Sequence, residues 1–228
     1  MTNFFIFIQA RLRSSRLPGK ILMNIYNETV LERIIRVTKK VMRKENIFLL
    51  TGDQSDPSIL SNICKKHGIN FFSGDEKNVL KRFCDNIKKN KIENSNIVRI
   101  TADNYLIQPS ILKKQIKFFE KKKLQYLYIK PLSHFGGEIV SSDLLLKHIK
   151  NNPSENSKEH VTWDIRKRLK IRKYALNSGF SGINHKKRIT LDTIYDLEFL
   201  KKIEKKYPNL MKLDCIKEIK KIKAPLYK

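Results

Sequence analysis

Apolar residues recur along this chain in two alternating rhythms. Residues 4–8, Phe-Phe-Ile-Phe-Ile, form a continuous apolar run of strand length. From Val30 onward, Val30, Leu31, Ile34, Val37 and Val41 follow the three- and four-residue spacing of a helix face. The alternation then repeats. Residues 47–51 read as a strand, and Ile59, Leu60, Ile63 and Cys64 line a helix face that stops at Gly68. Residues 70–73 form a short strand, Val79, Leu80, Phe83, Cys84 and Ile87 a helix, and residues 97–101 a strand before a helix opened by Pro109 and Ser110. Four strand-then-helix units predict a mainly parallel sheet with helices on both faces, an α/β fold.

The second half is less regular. A strand is expected over 126–129, a break at Gly136-Gly137, a helix capped by Ser141 or Ser142 and reaching about Lys150, and a loop over 151–158. A helix over 159–169, strands over 171–176 and 188–192, and helices over 194–206 and 214–223 complete the reading. There is no internal repeat and no long linker, so residues 1–228 are expected to form one domain.

Composition narrows the class. Of 228 residues, 48 are Lys or Arg and 22 are Asp or Glu, a formal net charge of +26 with His neutral. Charged residues at 31% beside 40% hydrophobic and 9% aromatic exclude collagen, low-complexity disorder and a small disulfide-stapled scaffold. No stretch approaches the roughly 20 apolar residues that span a bilayer, and the run at 4–8 is too short for a signal-peptide core, so a cytoplasmic protein without membrane contact is expected. Cys64, Cys84 and Cys215 lie scattered in apolar helical patterns without a Cys-x-x-Cys pair and read as reduced core thiols. The charge suits a polyanionic partner or an anionic substrate, although most of the Lys-Lys pairs fit solvated helix faces.

In open parallel sheets, ligands bind beyond the carboxyl ends of the strands. The first strand runs into Gln9-Ala-Arg-Leu-Arg-Ser-Ser-Arg-Leu-Pro-Gly-Lys20. Arg11, Arg13, Arg16 and Lys20 are interleaved with Ser14 and Ser15, a composition able to wrap a triphosphate: Arg offers a planar fork, Lys a point charge, and hydroxyls and backbone N–H groups add neutral donors. It is not a Walker loop, because Ser14 and Ile21 stand where that motif needs Gly and Ser or Thr, and no Gly-x-Gly-x-x-Gly occurs.

The segment Ile8–Lys20 resembles the opening signature of the sugar-acid cytidylyltransferases, especially the spore-coat-polysaccharide branch related to the acylneuraminate and 3-deoxy-manno-octulosonate enzymes. The resemblance continues in order through Val30-Leu-Glu-Arg33, Phe72-Ser-Gly-Asp-Glu-Lys-Asn-Val-Leu-Lys-Arg82, Arg99-Ile-Thr-Ala-Asp103, Glu159-His-Val-Thr162 and Leu191-Asp-Thr-Ile-Tyr-Asp-Leu197. It implies a Rossmann-like nucleotide-diphospho-sugar transferase fold, a nucleotide-binding half at 1–125 and an acceptor-binding, metal-completing half at 126–228. It also implies transfer of CMP from CTP to an acidic sugar with release of pyrophosphate, for cell-surface polysaccharide or glycoconjugate synthesis. The implied cofactor is Mg²⁺, and a homodimer with segment 131–140 as its contact is expected.

By the same resemblance, Arg11, Arg16, Lys20 and Asp103 are the catalytic set, and Asp103 and Asp192 hold the metal. Two carboxylates at strand ends suit Mg²⁺, which keeps most of its shell as water and phosphate oxygen. Asp192, before Thr193, also suits a helix N-cap. Ala102, Asn104-Tyr105 and Ile194-Tyr195 depart from the family's usual residues. Nucleotide contacts are expected from Gln9, Ala10, Ser14, Ser15 and Asn104 as well as the loop cations, and cytosine and ribose contacts from Thr51, Asp53, Ser73 and Asp75. Acceptor contacts are expected from Glu138, Glu159, His160 and Arg166, the last to the sugar carboxylate. A nucleotide-sugar glycosyltransferase is disfavoured by the missing second acid in Asp103-Asn104-Tyr105. A nucleic-acid-binding protein is disfavoured by the lack of a helix-turn-helix, RNP or zinc motif.

Overall fold

Strand β1 (Phe4–Gln9) is apolar on both sides because both sides are covered. Phe4, Ile6 and Ile8 join one buried layer, and Phe7 joins the other. A computed structural model describes residues 3–52, 57–130, 133–177 and 190–206. After β1 come a short hairpin, β2 (Asn24–Ile25) and β3 (Glu28–Thr29), and α1 (Val30–Lys39). Thr29 and Glu32 start α1 with a reciprocal capping box. The alternation continues through β4 (Ile47–Gly52), α2 (Pro57–His67), β5 (Asn70–Gly74), α3 (Val79–Lys89), β6 (Asn96–Thr101) and α4 (Pro109–Lys121). The second half contributes β7 (Tyr126–Lys130), β8 (Glu138–Ser141), α5 (Ser142–Ile149), α6 (Glu155–His160), α7 (Trp163–Lys167), β9 (Lys173–Asn177) and α8 (Ile194–Lys206).

The main sheet has the order β5-β4-β1-β6-β8-β7-β9, parallel throughout except for β8, which runs against both of its neighbours. Apolar residues of α1, α2, α4 and α8 cover one face, and those of α3, α5 and α7 the other. From β1 the chain winds outward to β4 and β5 and then returns to place β6 on the other side of β1. That reversal opens a crevice at the carboxyl ends of β1 and β6.

Several expectations need correction. Strand β8 follows directly on Gly136-Gly137 and is too short for its periodicity to show. The two glycines are required by proximity: a Cβ on Gly137 would stand 2.8 Å from the Arg99 carbonyl oxygen, and one on Gly136 would collide with Ile129. Residues 135–140, part of the segment expected to form a dimer contact, are buried within this chain. The expected loop at 151–158 and single helix at 159–169 are instead two short helices. Ser154 caps α6, accepting from Ser157 N–H, and its own N–H and hydroxyl donate to Asp164, both at 2.9 Å. Between the helices, Val161 takes a left-handed φ of 55° and the Thr162 N–H bonds back to the His160 carbonyl. Of the strand expected at 188–192, residues 190–192 are not strand and 188–189 lie outside the described residues, as does the helix expected at 214–223. Ser141 rather than Ser142 caps α5.

Candidate functional site

A cleft of about 660 Å³ lies at the carboxyl ends of β1 and β6. The loop after β1 folds over it by local means. Gly19 adopts φ 67°, which favours a residue without Cβ, and its N–H bonds to the Leu12 carbonyl at 2.9 Å. Leu17 and Ile21 sink into the core and pin the loop at its far end. Lys20, beginning a short 3₁₀ turn, is thereby turned inward, its side chain only 6% exposed.

The Lys20 Nζ stands 2.7 Å from Asp103 Oδ2 and 2.9 Å from Asp192 Oδ1. Arg16 donates to the same Asp192 oxygen at 2.9 Å, and Thr190 Oγ1 donates to the other at 3.1 Å. Burial pushes the Asp192 carboxyl pKa up, but the Lys20 hydrogen bond and charge, with Arg16 and Thr190, outweigh it and hold the pKa below its ordinary value. The two aspartates are joined by the backbone as well, since Leu191 N–H donates to the Asp103 carbonyl. Asp196, not Asp192, serves the start of α8, accepting from the N–H groups of Asp192 and Thr193.

Gln9, Ala10, Ser14, Ser15 and Asn104 also line the cleft. Arg11 does too, facing Glu159 at 3.9 Å with both side chains exposed. Glu159 and His160 complete that wall. The residues expected around cytosine and ribose are placed differently. Thr51 is buried with its hydroxyl lacking a hydrogen-bond partner, Ser73 donates to the Gly52 carbonyl, and the Asp75 carboxylate accepts the N–H groups of Lys77 and Asn78. Asp53 lies outside the described residues. On that side Glu76, Lys77 and Arg82 line the cleft, and Glu76 lies so close over Gly52 that a Cβ there would collide with it.

Glu138 and Arg166 do not line the cleft. Glu138 is buried and accepts from Arg99 at 2.6 Å, Tyr126 at 2.6 Å and Thr162 at 2.7 Å. Arg166 lies 3.7 Å from Glu138 and over the rings of Tyr128 and Trp163. Two further lining residues, Arg99 and His134, were not singled out from the sequence. Arg99 had a signal, a charge inside an apolar strand run. His134 had none; burial lowers its pKa against the opposing pull of Asp103 and Asp192.

The combination is a basic cleft with two converging carboxylates at the switch point of a parallel sheet. A model of the cytidylyltransferase family matches residues 5–221. The chain belongs to that family. Among its relatives, the spore coat polysaccharide biosynthesis protein SpsF of Bacillus subtilis is 31% identical over 216 residues, covering 90% of this chain and 88% of SpsF. A solved cytidylyltransferase from Leptospira borgpetersenii is similar over 100% of both chains, with a TM-score of 0.83 and 26% identity. The structure of CMP:2-keto-3-deoxy-manno-octonic acid synthetase complexed with CTP shares the fold, with a TM-score of 0.67 and 15% identity over 90% of this chain and 99% of that one.

Among the described residues no helix is long and apolar enough to cross a membrane, and no group of three or more His, Cys, Asp or Glu side chains gathers as a metal site. Cys64 and Cys84 are buried free thiols whose pKa values burial pushes up to about 12. Cys215 lies outside the described residues.

Proposed function

We propose that this family member transfers CMP from CTP to a hydroxyl of an acidic sugar. The sugar hydroxyl oxygen attacks the α-phosphorus and gives up its proton to solvent, the bond from that phosphorus to the β-phosphate bridging oxygen breaks, and pyrophosphate leaves. The observation that carries the reading is the meeting of Asp103, Asp192, Lys20 and Arg16 at the mouth of the switch-point crevice. Carboxylates from segments far apart in the chain meet here beside four loop cations, an arrangement that packing alone does not require, since apolar side chains in place of such ion pairs are often neutral or stabilising.

The donor set fits a hard divalent cation. Asp103 and Asp192 offer only oxygen, and both already reach a single cationic group within 3 Å. A magnesium ion held there would offset charge on the triphosphate and on departing pyrophosphate. Arg11, Arg16 and Lys20, with the hydroxyls and backbone N–H groups of the loop, bind the phosphates and stabilise the leaving group. The nucleoside extends over β4 and β5 beside Glu76 and Arg82, and the acceptor lies over β6 and β8 beside Glu159 and His160. Rate enhancement comes chiefly from positioning and electrostatic stabilisation.

The test is pyrophosphate release from each of the four nucleoside triphosphates against a panel of sugar acids with Mg²⁺. CTP with at least one sugar acid should turn over. Release with no sugar acid, or turnover of UDP-sugars instead, overturns the reading.

A further inference from the structure

Arg99 lines the cleft and is held there from two sides, by Gln9 on one and Glu138 on the other. Its side chain is 13% exposed and projects from β6 on the same side as Ile97, into the layer that also holds Phe7 and Val140. Nε and Nη2 both donate to Gln9 Oε1, at 3.1 and 2.9 Å, and Nη1 donates to Glu138 Oε2 at 2.6 Å. A guanidinium has five N–H donors, so these bonds leave two for a ligand. Gln9 turns its carbonyl end toward Arg99, which leaves its amide N–H₂ out of that pairing, and Gln9 itself lines the cleft.

Glu138 is what holds Arg99 still. Its carboxylate also accepts from Tyr126 and Thr162 and faces Arg166, so two guanidiniums share one carboxylate and positive charge is left over at the wall. Burial would raise the Glu138 pKa, but Arg99, the two hydroxyls and Arg166 together lower it, which keeps Glu138 ionised and the network intact. A structural ion pair needs neither the spare donors nor a cleft, and by itself contributes little net stability.

We infer that Arg99, assisted by the Gln9 amide and positioned by Glu138, is the group that binds the carboxylate of the acidic acceptor. This rests on the transfer reaction proposed above. A planar carboxylate matches the two remaining N–H groups of a fixed fork. The placement favours the acceptor over the triphosphate. The phosphate loop is anchored by Leu17 and Ile21 in the opposite layer, together with Leu191 beside Asp192. By contrast, Tyr126, Glu138, Thr162 and Arg166, which orient Arg99, all come from the second half of the chain. Arg166, the carboxylate ligand expected from the sequence, lies off the cleft and acts on Glu138 instead.

The experiment crosses variants with substrates. The wild type and Arg99→Lys are assayed with the best sugar acid and with its carboxamide analogue, measuring kcat/KM for the acceptor and KM for CTP. In the wild type, loss of the substrate's charge should lower kcat/KM about 100-fold, the worth of a charged, desolvated hydrogen-bond pair. Arg99→Lys keeps a cation for Glu138 but loses the fork. It should lose about 100-fold on the acid, less than about 3-fold further on the amide, and change KM for CTP less than about 3-fold. Equal discrimination between acid and amide in both proteins, or a loss that appears in KM for CTP, overturns the assignment. Gln9→Leu leaves the Arg99–Glu138 pair in place, so it decides the question should Arg99→Lys not fold: about a 5- to 10-fold loss confined to the acid supports the inference, and no loss refutes it. A wild type that turns over no sugar acid fails the underlying reaction, whereas an active wild type with additive losses fails only the role of Arg99.

Discussion

Replacing Lys20 by Met isolates its charge, because the unbranched apolar side chain keeps much of the buried stem. Lys20 makes two charge-assisted hydrogen bonds, at 2.7 and 2.9 Å, and its side chain is almost wholly buried, whereas Asp103 and Asp192 keep some contact with water. Without the ammonium, two carboxylates face each other, with Arg16 still bonded to Asp192. Such bonds contribute about 1.5–3 kcal/mol each, and partial hydration of the acids discounts the sum to a loss of about 2–4 kcal/mol. In a chain of this size that lowers the melting temperature by about 5–15 °C. The Asp192 pKa should rise, since the Lys20 bond is the leading contribution holding it down against burial. The site then becomes a better receptor for a free divalent cation. Thermal melting with and without millimolar Mg²⁺, nucleotide absent, should show the ion stabilising Lys20→Met by several degrees more than the wild type. Pyrophosphate release should fall at least about 100-fold, as expected when a donor to developing phosphate charge is removed. Equal Mg²⁺ shifts in both proteins, or turnover near the wild-type rate, would refute the reasoning.

Other expectations rest on separate parts of the molecule. The Glu32 carboxyl, held at a pKa of about 2 first by its bond from Lys66 and then by the Thr29 N–H, adds stability present above its ordinary 4.5 and lost as pH falls through 2. Solvent screening limits this to about 1–2 kcal/mol, so Glu32→Gln should melt earlier at pH 7 and converge with the wild type near pH 2. Cys64 and Cys84 should resist a thiol-specific disulfide reagent at neutral pH and react on unfolding; rapid native labelling of either would contradict their burial. Tyr105, fully buried, donates to Glu204 at 2.7 Å and lies under the Arg33 guanidinium, so Tyr105→Phe should cost about 1–3 kcal/mol, read in urea melts with unchanged slope.

Local information sufficed for much of this protein. A strand covered on both sides must be apolar at every position, as residues 4–8 and 47–50 are, and a helix covered on one side must repeat every three to four residues, as α1 and α3 do. Those rules need no knowledge of neighbours, so the layered sheet was legible, as was the concentration of cations and hydroxyls at residues 9–20. Where pairing partners decide, the pattern was silent. Strand β8 has four residues and no periodicity of its own; only its insertion between β6 and β7 sets Glu138 opposite Arg99, from whose guanidinium it accepts a hydrogen bond. The helix break at Val161 depends on Ser154 reaching Asp164 across ten positions. The meeting of Lys20 with Asp103 and Asp192 spans 83 and 172 positions. Spacing along a chain states which side of an element is buried. Which charge stands within hydrogen-bond reach of which is fixed by how the elements pack, and here that packing alone assembled the cleft.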